Sequence, residues 1–152
     1  MAIMFEENLR TASVENVAAK MMLAARTAPK GRGIDNLVIA LAKKDDIKNI
    51  VHEMQRLSQL SAAPIMAQTL VRDAANVALA DAVVLLGTKI APLGLPECGI
   101  CGFATCQEKN QHPNFPCAFN TGDLGIAIGP QQASPWIIVL TTELCVQLAK
   151  QC

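Results

Sequence analysis

Ala82-Val83-Val84-Leu85-Leu86-Gly87 is a short apolar run with β-branched members and a glycine at its end. A run this short, bounded by turn formers, reads as a buried strand, because a helix needs about ten residues or more. Leu37-Val38-Ile39-Ala40-Leu41, preceded by Asn36, has the same character and is expected to be a second buried strand. Around these runs the apolar period changes from continuous to three and four residues. Val14, Val17, Ala18, Met21, Met22 and Ala25 mark an amphipathic helix over residues 6–28, stopped by Ala28-Pro29-Lys30-Gly31. Asp45 and Asp46 suit a helix start, and Ile47, Ile50, Val51, Met54 and Leu57 continue it on one face to about Ser61. A third helix is expected from Pro64 to Ala78. The order α, β, α, α, β puts the chain in the α+β class, with helices packed on a small sheet.

With 152 residues the chain fits a single domain over 1–152, able to bury roughly two thirds of its unfolded surface. The hydrophobic share is 51%, and with one Trp, four Phe and no Tyr the core must be aliphatic. Thirteen basic and thirteen acidic residues balance, so no broad positive field draws nucleic acid or an anionic membrane surface, and neither partner is expected. No stretch reaches the roughly 18 apolar residues of a membrane span, and the N-terminus, with Glu6, Glu7 and Glu15, has no signal or transit layout. The expected location is the cytoplasm. There disulfides rarely persist, so clustered cysteines point to metal or redox chemistry.

Residues 92–117 form a Pro- and Gly-rich loop with one short helix expected near Ala104–Lys109. It carries Cys98-x2-Cys101-x4-Cys106-x10-Cys117. An iron–sulfur cluster needs four soft anionic ligands converging on one centre, and Cys-x2-Cys lets two of them reach adjacent irons. Gly99 and Gly102 follow the first two cysteines and permit a tight chain path. Structural zinc also accepts four thiolates, but more often between two Cys-x2-4-Cys knuckles, so zinc stands as the alternative metal. Cys145 and Cys152 lie in an apolar stretch and are read as small packing or tail residues.

The Cys98-Gly99-x-Cys101-Gly102-x-x-x-Cys106 pattern resembles the four-iron cluster domain of corrinoid iron–sulfur proteins and of the Rnf electron-transport B subunit, whose last spacing is usually longer. A fuller likeness runs from residue 6 to about 129. Ala24 to Asn36 (AARTAPKGRGIDN), Asp81-Ala82-Val83-Val84-Leu85, the cysteine loop and Asp123 to Gly129 (DLGIAIG) resemble the uncharacterised prokaryotic ferredoxin domain-containing proteins. This resemblance implies a [4Fe-4S] cluster on Cys98, Cys101, Cys106 and Cys117 and brings no established reaction. Ala25-Arg26-Thr27-Ala28-Pro29, after a helix and before a strand, also looks like the start of flavin-dependent nitroreductases. That second likeness implies a related α+β fold and a bound FMN, with Arg26, Lys30 and Arg32 as candidate phosphate contacts. A solvated basic turn is the alternative for these three.

The tail over 130–152 departs from the family pattern, which implies a continuing helix and an Asp-Asn-Arg motif after Gly129. Permitted codons for Ala133 to Leu144, read two bases later, encode Ile-Ala-Met-Asp-His-Arg-Val-Asp-Asn-Arg-Val, so a frame shift near residue 130 is expected. Trp136-Ile137-Ile138-Val139-Leu140 would then pair as an improvised strand or expose an apolar patch that favours a homo-oligomer.

Among the other candidates, His112 in the loop is an alternative ligand or cluster neighbour, while His52 lies on the second helix. Asp123 in Thr121-Gly122-Asp123-Leu124-Gly125 is expected to open a helix and meet its dipole. Glu97 stands beside Cys98, where its charge would tune a cluster. Two functions from different classes follow. One is an electron-transfer or redox-sensing protein with a partner redox protein. The other is a zinc-stabilised interaction domain, and a flavin-dependent reductase with the cluster as relay is a third reading.

Overall fold

The computed structural model describes residues 3–129. The tail, with its expected frame shift, its strand over residues 136–140, and Cys145 and Cys152, lies outside the described residues. The elements are α1 (Glu6–Thr27), a 3-10 turn (Gly31–Gly33), β1 (Leu37–Ala42), α2 (Lys44–Leu60), α3 (Pro64–Ala78), β2 (Val83–Thr88), α4 (Cys106–Asn110) and α5 (Ala118–Ile128). The two strands pair as one antiparallel sheet, with Lys89 N donating to Asn36 O at 2.9 Å just beyond their ends. The protein is α+β, as its sequence predicts. No described helix is long and apolar enough to cross a membrane.

The described residues divide into two compact units, and the division falls within α1, β1 and β2. The first gathers the chain up to Lys20 with Leu41–Leu85. Here α2 and α3, joined by Ser61–Ala63, pack on each other as a helical hairpin. Pro64 stands at the first position of α3, where its missing N–H costs nothing. Asp46 Oδ2 accepts from Lys43 N at 3.4 Å at the start of α2. Ile47 and Met54, two turns apart on α2, are buried, as are Leu70, Ala74 and Val77 on α3. Val14 and Ala18 lie on the covered face of α1, but Val17 is 48% exposed. At 100° per residue it sits about 60° off the stripe that these residues share with Ala25.

The second unit combines Met21–Ala40 with the described chain from Leu86 onward. Its core is Ala25, Ala28, Leu37, Leu124 and Ala127, flanked by Ile39, Leu86 and Ile128. Ala25 and Ala127 are both 0% exposed. The strands depart from the fully buried state expected of them. From Leu37 to Leu41 β1 alternates, with Leu37 buried, Ile39 and Leu41 partly buried and Val38 and Ala40 exposed; Ala42 is buried at its end, and β2 is only partly buried beyond Val83. A two-stranded antiparallel ribbon covered on one face gives this pattern, whereas continuous burial needs cover on both.

α5 corrects a boundary. It starts at Ala118, with Cys117 as its N-cap, so Asp123 stands inside the helix and not at its opening. Gly122 and Gly125 disguise the helical period of this segment. Asp123 is 8% exposed, and its Oδ1 accepts a hydrogen bond from Gly31 N at 2.9 Å.

Candidate metal centre

After β2 the chain runs irregularly until α4, and three contacts fix it. Ala91 N donates to Asn120 Oδ1 at 2.9 Å, and Arg32 Nη1 donates to Leu93 O at 2.7 Å. The third is steric. A Cβ on Gly31 would stand 2.8 Å from Leu93 Cδ1 and 3.2 Å from Phe119 Cδ1, so a larger residue would push those side chains aside. Asp123 closes the same junction through the Gly31 N–H. The stretch around Leu93 is thereby clasped between the 3-10 turn and α5.

The cysteines follow. Pro96 and Glu97 make a turn, and Glu97 has φ 54°, a left-handed conformation that costs a non-glycine residue about 1 kcal/mol or more. Cys98 comes next. Gly102 N donates to Gly99 O at 3.0 Å, a tight turn carrying Cys101, and Gly102 has φ 87°, which glycine adopts without strain. Thr105 then caps α4: its Oγ1 accepts from Glu108 N at 3.1 Å while Glu108 Oε2 accepts from Ala104 N at 2.9 Å. Cys106 is the first residue of that helix, and its Sγ lies 3.9 Å from Leu95 O. Phe103, before α4, groups with His112 and Phe115 after it, the Phe103 and His112 rings stacked at 5.0 Å. Cys117, 5% exposed, is the N-cap residue of α5.

Cys98, Cys101, Cys106 and Cys117 are free thiols, and all four line one pocket. Its other walls are Pro92, Leu93, Leu95, Ile100, Lys109, Ala118 and Phe119. His112 is not among them. Among the described residues, no three His, Cys, Asp or Glu side chains are placed to hold a metal ion together. A single tetrahedral zinc at about 2.3 Å from each sulfur needs sulfurs about 3.8 Å apart. A cluster fills the space between its ligands and keeps them wider. In donor chemistry and in number, the four thiols around one apolar-walled pocket fit an iron–sulfur cluster.

The cations named as flavin phosphate contacts are engaged within the chain. Arg26 Nη1 donates to Asp35 Oδ2 at 2.7 Å and to Leu37 O at 3.1 Å. Lys30 Nζ donates to Arg26 O at 2.6 Å and Ala28 O at 2.7 Å, closing the C-terminal end of α1, where a cation meets the negative end of the helix dipole. Arg32 braces Leu93 as described. Arg26 and Lys30 meet around Asp35, at 2.7 and 4.0 Å, whereas Arg32 turns toward the cysteine pocket wall. Burial works to raise the Asp35 pKa. The Arg26 hydrogen bond, the Leu37 N–H and the two cationic charges outweigh it and hold the carboxyl below its ordinary value.

Lys109, Asn120 and Asp123 are buried polar residues of this region that the sequence reading did not connect to the site. Lys109 had a local signal. It stands three residues after Cys106 in a segment opened by Thr105-x-x-Glu108, so both fall on one face of α4. Asn120 and Asp123 act through partners far away in the chain and had none.

No protein-family model matches the chain. It is similar to an uncharacterised protein of the archaeon Archaeoglobus fulgidus, with 30% identity over 131 residues, covering 82% of this chain and 68% of the archaeal one. No solved structure matches.

Proposed function

The chain belongs to the family of that archaeal protein, and we propose that it is a cytoplasmic redox protein holding a [4Fe-4S] cluster on Cys98, Cys101, Cys106 and Cys117. The observation that carries this reading is that all four spaced cysteines, drawn from two loop turns, the start of α4 and the cap of α5, line the same pocket. Such a cluster supplies one-electron transfer to and from a partner.

The chain's own groups would do the rest. The four thiols must be thiolates to bind iron, so assembly releases their protons. Pro92, Leu93, Leu95 and Phe119 keep water from that side of the pocket. Ile100, 70% exposed beside Cys101, leaves a thin apolar edge where an electron partner could approach closely.

The test is anaerobic reconstitution with iron and sulfide of the wild-type chain and the four single Cys→Ser variants. Each variant at Cys98, Cys101, Cys106 or Cys117 should lose most of its iron and its visible absorption, while Cys145→Ser should keep both. Equal iron in all five variants would overturn the assignment. Zinc retained in place of iron would favour an interaction domain.

A further inference from the structure

Lys109 is the most buried charged residue among those described, at 2% exposure, and it lines the four-cysteine pocket. Lysine is almost never buried this far without a compensating partner. Among the described residues its ammonium has no salt bridge and no hydrogen bond to a side chain or carbonyl. The nearby acids are otherwise used: Glu108 caps α4 through Ala104 N, and Asp123 holds Gly31 N. Glu97 is exposed on its turn. A buried lysine thus stands in the wall of a pocket that four cysteines also line.

We propose that Lys109 is the counter-charge of this pocket, offsetting the negative charge of a four-thiolate cluster and raising its reduction potential. The inference rests on the cluster reading above. With four thiolates the assembled site is anionic, and a unit charge beside it acts strongly because the pocket walls are apolar. Reduction takes one electron from the donor, forms and breaks no bond, and adds one negative charge to the site. A fixed cation favours that reduced state. Lys109 stands three residues after Cys106 on α4, so the two share one helix face.

The experiment compares wild type, Lys109→Met, Lys109→Gln and Lys109→Arg, each as the full chain reconstituted anaerobically with iron and sulfide and reduced by dithionite. Iron and acid-labile sulfide report assembly, circular dichroism reports folding, and a redox titration reports the midpoint potential. The Met and Gln variants should assemble the cluster but lose at least tenfold in the reduction equilibrium, about 59 mV for one electron. The Arg variant should stay within about threefold of wild type, a shift below about 30 mV. A folded Met or Gln variant that cannot retain the cluster, rescued by Arg, would also support the counter-charge. Full assembly with an unchanged midpoint in Gln or Met would overturn it. A wild-type chain without iron or sulfide would instead overturn the cluster reading on which it stands.

Discussion

Asp123→Ala removes the acceptor that Gly31 N uses at 2.9 Å, on a carboxylate only 8% exposed. Hydrogen bonds to charged groups contribute about 1.5–3 kcal/mol, and an unpaired buried donor costs about 1–3. Gly31 is half-buried, so water can replace part of the loss, and about 2 kcal/mol is expected. For a chain of this size that corresponds to a melting temperature lower by about 4–8 °C. Asp123→Asn keeps a carbonyl oxygen at the same place and should lose less than half as much. Thermal and urea unfolding followed by circular dichroism measure both. The same clasp holds Leu93 against the cysteine pocket, so iron retained after reconstitution should fall in the Ala variant and persist in the Asn variant. An Ala variant that melts within about 1 °C of wild type, or an Asn variant as damaged as Ala, would refute the role given to this bond.

Met54, 0% exposed on α2, should cost about 2–5 kcal/mol when changed to Ala, read as a lower urea midpoint. Gly102→Val forces a β-branched residue to φ 87° and should cost about 1–2 kcal/mol or more, with iron lost from the Cys101 side; unfolding curves and metal analysis read the two effects. Asp35 has a folded-state pKa below its ordinary value of 3.8, so its contribution is complete above that value and disappears as pH falls through the folded one. Asp35→Asn should therefore be less stable than wild type near neutral pH, and the two urea curves should converge in strong acid. A gap independent of pH would contradict that assignment.

Local chemistry made much of the fold legible. Pro64 and Ala78 bound α3 as its proline start and apolar period indicate, and the two short apolar runs are β1 and β2. The cysteine spacing identified a loop whose four thiols do line one pocket. What stayed hidden depends on partners distant in the chain. Gly31 and Asp123 have no shared periodicity, so Asp123 read as a helix opening until its hydrogen bond across the second unit gave it another role. The spacing puts Lys109 on the Cys106 face of α4, but its burial does not follow from that spacing, since a Lys in a polar pentapeptide looks solvated until its neighbours are known. The strands looked fully buried because hydrophobicity records what a residue can tolerate, whereas exposure of Val38 follows from the number of strands beside it.

The most direct test of the cluster is the iron and acid-labile sulfide content of the anaerobically prepared wild-type chain, with electron paramagnetic resonance before and after dithionite. The account expects about four iron and four sulfide per chain and a signal that appears on one-electron reduction. One zinc per chain with no sulfide, or no bound metal after reconstitution, would contradict it.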